Sequence, residues 1–388
     1  MVWRSTRYSR WAVAVVLCGV AQSAAAGQFE WKRGFEYPSG NGLDGQAIAF
    51  AVFDDGYGPA LYAGGSFHMA GSTPANNIAK WDGTAWTALG SGTDGLVYAL
   101  TVFDDGTGPA LYCGGFYTRA GGLTVNGIAK WDGSTWSALG SGVERFGEVD
   151  SLAVFDDGNG PALYAGGLFG SAGGTPAASI ARWDGAGWSS LDIGLDGQVQ
   201  ALTVFDDGNG PALYAGGWFT RAFGSGLLVN RVAKWDGSTW SALGTGVGGG
   251  IVTALSVFDA GDGPALYAGG NYRMAGDAPA GGIAKWDGAS WMPLTSVTDG
   301  NVFTLTVFDD GDGRALYVGG HAGGVNFAGI AKWDGASWSE LDRGLNTDAK
   351  GLGVFDDGSG AALYAGGLFT MTLTGVESMH IAKWAAQD

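Results

Sequence analysis

Seven times the chain turns a corner on Asp and Gly, and these corners, with the Trp-Asp-Gly turns, hold most of its acidic groups. Six of the turns read Asp-Asp-Gly-x-Gly and one, at Asp259, reads Asp-Ala-Gly-Asp-Gly. Two carboxylates and a carbonyl on a flexible loop are the groups a hard cation such as calcium takes. Asp54 and Asp55, Asp104 and Asp105, and Asp309 and Asp310 with Asp312 are the metal candidates on that ground. Asp and Gly are also what tight turns prefer for backbone reasons. One short turn rarely supplies six ligands, and the spacing does not match the twelve-residue calcium loop, so turn formation is the expected role. Calcium is the one cofactor raised by the sequence, and no other is expected.

A second set follows a recurring Gly pair. The residues His68, Tyr117, Arg119, Trp218, Arg221, Tyr272 and Arg273 stand in or beside the loops after it. Aromatic rings there would stack on sugars, and the arginines would meet an acidic polymer or a protein. The aromatic two places after the pair recurs as Phe67, Tyr117, Phe169, Phe219, Tyr272 and Phe369, and that regularity also favours packing. The three histidines, His68, His321 and His380, fall in the first, sixth and seventh copies; they would make a metal site only if loops on neighbouring units converge.

Catalytic patterns are missing. There is no Gly-x-Ser-x-Gly, no nucleophile with a base beside it, and no clustered carboxylate pair outside the repeated turns. Glu144, Glu148 and Asp150 form the single nonrepeated acidic cluster, and a solvated loop is the expected setting for it. Cys113 sits in Leu-Tyr-Cys-Gly-Gly where the other copies have Ala or Val318, which reads as a small buried hydrophobe.

The elements that carry these residues repeat. Taking the Phe of each Val-Phe-Asp as a marker, copies fall at Phe53, Phe103, Phe155, Phe205, Phe258, Phe308 and Phe355. A period near fifty means blades or solenoid turns. Each unit reads as four short strands: an apolar run such as Val97 to Asp105, then Pro-Ala-Leu-Tyr-Cys-Gly-Gly, then Gly-Ile-Ala-Lys-Trp-Asp-Gly, then Thr-Trp-Ser-Ala-Leu-Gly. Strands apolar on both faces must be covered on both, and the neighbouring units supply that cover. The expectation is an all-β, seven-bladed propeller of four-stranded antiparallel blades. The seventh unit ends at Lys383, Trp384 without a fourth strand, and the segment around Trp31 supplies one, closing the ring. Trp31 lies about five residues too far from Phe53, so a loop within Gly34 to Gly40 should bulge out.

The Gly pair, the aromatic-Asp pair and the later Trp (Gly64, Gly65, Trp81, Asp82 and Trp86 in the first unit) resemble the Kelch repeat. The resemblance implies a propeller of the kind in the central domain of galactose oxidase, and such propellers mostly bind other molecules. The chain departs from it in carrying Trp where Kelch repeats usually have Tyr or Phe, and in its acidic first turn. The copper chemistry of galactose oxidase would need two Tyr ligands and a cross-linked Cys, for which Cys113 is poorly placed.

Antiparallel blades put the Asp-Gly and Trp-Asp-Gly turns on one monotonous face, and the loops after the Gly pair with the blade-to-blade links on the other, variable face. Repetition marks a shared structural task, so the variable face is the expected binding surface. The Trp pairs should pack between blades, and the Lys before each should pair with Asp.

Arg4, Arg7 and Arg10 precede an apolar run from Trp11 to Val20 and then Ala24 and Ala26, the pattern of a secretory signal over residues 1–26, with a single domain over 27–388. Removing the signal leaves 17 basic against 37 acidic residues and a net charge near −20, which argues against nucleic acid. No stretch beyond the signal is apolar enough for a membrane span. The reading is a secreted, noncatalytic propeller, extracellular, periplasmic or on the cell surface, that binds a protein or a polysaccharide. The alternatives are a polysaccharide hydrolase or lyase with a site at the channel mouth, and a calcium-stabilised adhesive protein.

Overall fold

The computed structural model describes residues 29–294, 301–321 and 328–387; residues 1–26, expected to be a secretory signal, and most of the loop from His321 to Gly329 lie outside them. Among the described residues there is no helix, and so none long and apolar enough to cross a membrane. Seven four-stranded antiparallel sheets follow one another along the chain. In blade 4 the strands are Gln198–Asp206, Pro211–Trp218, Val232–Trp235 and Trp240–Ala242, paired in that order. Blade 7 takes Ala349–Asp356, Ala361–Gly367 and Ile381–Ala386 from the C-terminal end and Phe29–Lys32 from the N-terminal end. Trp31 pairs with Trp384 in the register that Trp86 keeps with Trp81, so the N-terminal strand does complete the last blade. The extra length is taken up after Lys32, where Phe35 folds in against Trp81 and Tyr364 and the Asn41 carbonyl accepts the Trp86 indole N–H at 2.8 Å.

The cores lie between blades. Phe205, Ala212 and Tyr214 of blade 4 pack with Val252, Leu266, Trp286 and Trp291 of blade 5. The same set recurs at each boundary, including Phe355 and Tyr364 of blade 7 against Leu61, Trp81 and Trp86 of blade 1, which joins last to first. Fourth-strand tryptophans stitch the boundaries: Trp136, Trp188 and Trp240 donate their indole N–H groups to Leu89, Leu139 and Leu191 of the preceding blade.

The Gly pair has two separate causes. A Cβ on Gly216 would stand 2.6 Å from Val252 Cγ1 of the next blade, whereas one on Gly217 would land on the Gln198 carbonyl of its own blade. The second contact arises because each first strand carries a bulge, here between Val199 and Ala201, that draws the two backbones together.

Candidate functional site

The monotonous face is a scaffold of repeated ion pairs. Asp54 accepts the N–H groups of Gly56 and Gly58 in its own turn, at 2.9 and 3.0 Å. Asp55 turns inward to the Lys80 ammonium at 2.5 Å and the Tyr62 hydroxyl at 3.0 Å. Burial works to raise the Asp55 pKa, but Lys80 and Tyr62 outweigh it and hold the carboxyl below its ordinary value. Asp105 is treated alike by Lys130, Thr107 and Tyr112 and drops to about 2. Asp104 and Asp309 cap their turns as Asp54 does, Asp310 takes Lys332 and Tyr317, and Asp312 stays exposed. Apart from Asp312, the candidate calcium carboxylates are thus engaged in turn and ion-pair hydrogen bonds. Among the described residues no group of three or more His, Cys, Asp or Glu is gathered for a metal. Blade 5 shows the logic by exception: Ala260 replaces the second Asp, and Lys285 reaches Asp262 instead, at 2.6 Å.

On the variable face the set from the sequence divides. Tyr117 and Tyr272 are corrected from binding residues to core: both are buried, with their hydroxyls donating to the carbonyls of Cys113 (2.5 Å) and Ala268 (2.6 Å) in the strand before. The ring of Tyr117 packs back toward the preceding blade, in one core with Tyr62, Ile78 and Leu89. Arg119, Arg221, Arg273 and His68 are exposed on the loops, and Trp218 is 62% exposed. Arg119 and Arg221 donate to the carbonyls of Gly122 and Gly226 in their own loops. His321 bonds Asp348 at 2.7 Å and His380 the Gly367 carbonyl at 3.0 Å. Link residues hold the loop bases: Asp44 accepts from His68 and Met69, Asp94 from Thr118 and Arg119, and Asp196 from Thr220 and Arg221. Glu144 does the same for Gly170 in blade 3.

The larger feature is the channel along the propeller axis. The seven first strands surround a cavity of about 520 Å³ with two rings of side chains. One ring is Phe50, Leu100, Leu152, Leu202, Leu255, Leu305 and Leu352, an apolar collar. Nearer the variable face the other ring is Ile48, Tyr98, Asp150, Gln200, Thr253, Phe303 and Lys350, different in every blade. The expectation of a solvated loop for Glu148 and Asp150 is therefore corrected. Both lie on the first strand of blade 3, Glu148–Asp156, with Asp150 unpaired at its bulge. Gln198 Nε2 donates to Glu148 Oε1 and to Asp150 Oδ2, each at 2.8 Å, which puts those two oxygens no farther apart than twice that distance. Burial, only partly offset by Gln198, pushes the Asp150 carboxyl up to about 7, and burial raises Glu148 as well. Burial and these two acids raise the Tyr98 pKa, so its phenol keeps its proton. Among the described residues the Gln200 side-chain oxygen has no partner, and the Lys350 ammonium lies 5.5 Å from the Phe303 ring.

An apolar rim lies on the variable face at blades 2 to 4. Phe116, Leu168 and Trp218 end their second strands directly opposite Leu96, Glu148 and Gln198, and all three are exposed. Phe146 (66% exposed) and Ile193 (55%) extend the rim from the adjoining links. Both hold positive φ, 68° and 69°, a conformation that costs a bulky side chain on the order of 1–2 kcal/mol.

Several solved structures share the architecture. The extracellular domain of a one-component system of B. thetaiotaomicron aligns over 91% of this chain and 39% of its own, at 12% identity and a TM-score of 0.53. That of a hybrid two-component system from the same organism aligns over 92% and 40%, at 13% identity and 0.54. An ancestral GH74 enzyme aligns over 94% and 48%, at 16% identity and 0.53. The chain spans less than half the length of each, and at these identities the likeness establishes the propeller fold alone. No protein-family model and no curated protein matches the sequence.

Proposed function

We propose that the protein is an exported, Kelch-like binding propeller, freed of residues 1–26, that recognises a polysaccharide across the channel mouth of its variable face. The observation that carries the reading is the exposed rim of Phe116, Leu168 and Trp218 together with a chamber of mixed donors and acceptors. Rings stack on the apolar faces of sugars while polar groups beneath take the hydroxyls. Arg119, Arg221, Arg273 and His68 stand farther out and serve as peripheral contacts. The fold neighbours include an ancestral GH74 enzyme, which is consistent with glycan chemistry on this architecture. The test is retention of residues 27–388 on immobilised glucans, xylans, galactans and mannans. Trp218→Ala combined with Phe116→Ala should lower retention at least tenfold. Full retention by that variant, or its loss on changing the three arginines alone, would contradict the assignment.

The carboxylate pair supports a second reading, hydrolysis of the bound glycan. A carboxyl that keeps its proton near neutral pH beside a second carboxylate is the pairing glycosidases use, Asp150 as acid with Glu148 beside it. Prolonged incubation with a retained glycan that releases no new reducing ends would remove it.

A further inference from the structure

We propose that the channel chamber is a seat for the terminal residue of the glycan, an uncharged hydroxyl-rich ring, so that the protein reads chain ends rather than chain interiors. This rests on the polysaccharide reading above. Seven strands wall the chamber laterally, so whatever occupies it enters along the axis from the mouth. A chain interior would have to leave past the apolar collar or double back through the same mouth, whereas an end or a one-residue branch need do neither. At about 520 Å³ the cavity falls within the range of roughly 300–1,000 Å³ that small ligands occupy.

The wall chemistry selects the occupant. Among the described residues the ring mixes donors and acceptors: Tyr98 keeps a proton to donate, Asp150 on the next blade offers carboxyl oxygens, and the buried Gln200 oxygen lacks a partner. A buried acceptor without a donor is costly unless something supplies one, and a sugar hydroxyl both donates and accepts. Lys350, four blades on from Asp150, gives the far wall a donor, so the seat is polarised and would orient a ring. Among the described residues no basic side chain is hydrogen-bonded to the carboxylate pair; its neighbour is the Gln198 amide. The rim aromatics then cover the second and third sugar units.

The experiment is titration calorimetry of residues 27–388 with cello-, xylo-, manno- and malto-oligosaccharides of two to eight units, and with the matching polymers. The expected result is affinity per molecule that levels off at about three units, and polymer binding that follows the number of chain ends rather than mass. Asp150→Leu and Gln200→Leu, checked for an unchanged melting curve, should each lose at least tenfold, while Asp150→Asn keeps most of the affinity because the partner is uncharged. Affinity that climbs in proportion to chain length, or is unmoved by both Leu variants, overturns the end-reading seat while leaving rim binding in place. Loss of more than tenfold in Asp150→Asn overturns it in favour of a cationic group. Binding of no glycan in any form overturns it together with the polysaccharide reading.

Discussion

Adding one methyl group to Gly216 should damage the propeller in a way that a second change repairs, while the same methyl on Gly217 should not be repairable. On Gly216 the new Cβ stands 2.6 Å from Val252 Cγ1, 3.2 Å from Val252 Cβ and 3.4 Å from Leu255 Cδ1, all side-chain atoms of the next blade. Overpacking of this kind costs about 1–3 kcal/mol. Val252→Ala alone removes two buried methyl groups and should cost about 2 kcal/mol. Together the changes exchange one volume for the other, so the double variant should be about as stable as Val252→Ala, a coupling of about 1–2 kcal/mol. On Gly217 the obstacle is the Gln198 carbonyl, with the Gln198 carbonyl carbon and Val199 Cα at 3.0 Å, and no side chain can be trimmed to make room. The measurement is urea unfolding followed by Trp fluorescence for wild type and the four variants. If Gly216→Ala costs as much in the Val252→Ala background as in wild type, or if Gly217→Ala is tolerated, the blade-packing account of the Gly pair is wrong.

Two further outcomes test the charged groups. Lys234→Met should cost about 3–5 kcal/mol because it strands Asp207, whose side chain is only 7% exposed. Lys285→Met leaves Asp262 in water at 65% exposure and should cost below about 1 kcal/mol; equal losses in thermal unfolding would refute the distinction. The raised Asp150 pKa makes the folded chain hold a proton that the unfolded chain has released between about pH 4 and about pH 7. Stability should therefore fall as pH rises across that window, by up to about 1.4 kcal/mol per pH unit. Asp150→Asn should flatten that fall and be more stable than wild type at pH 8 but not at pH 4; parallel pH profiles would mean the carboxyl is solvated.

Much of the architecture was legible because each repeat states it again. Strand alternation, Gly turns and the Trp pairs each need only neighbours in the chain or the identical neighbour unit, so the repeat period and the unpaired seventh blade foretold the ring and its closure at Trp31. The Lys–Asp pairs were legible for the same reason. The aromatics Tyr117 and Tyr272 were misassigned as binding groups because a residue just past a Gly pair looks like a loop tip. Only the packing between blades shows that it turns back into the core with the preceding blade.

The chamber left a trace that could have been read. In first strands whose Val-Phe-Asp ends are constant, one position takes every character, as Ile48, Tyr98, Asp150, Gln200, Thr253, Phe303 and Lys350. What the chain order could not convey is that these seven positions, some fifty residues apart from one to the next, face a common axis. The sequence by itself determined the blades, their number and the cores between them, since those depend on local alternation and on contacts every unit repeats. Tertiary structure alone decided that Asp150 faces a walled cavity with Glu148 beside it, because that cavity exists only once the seventh blade meets the first.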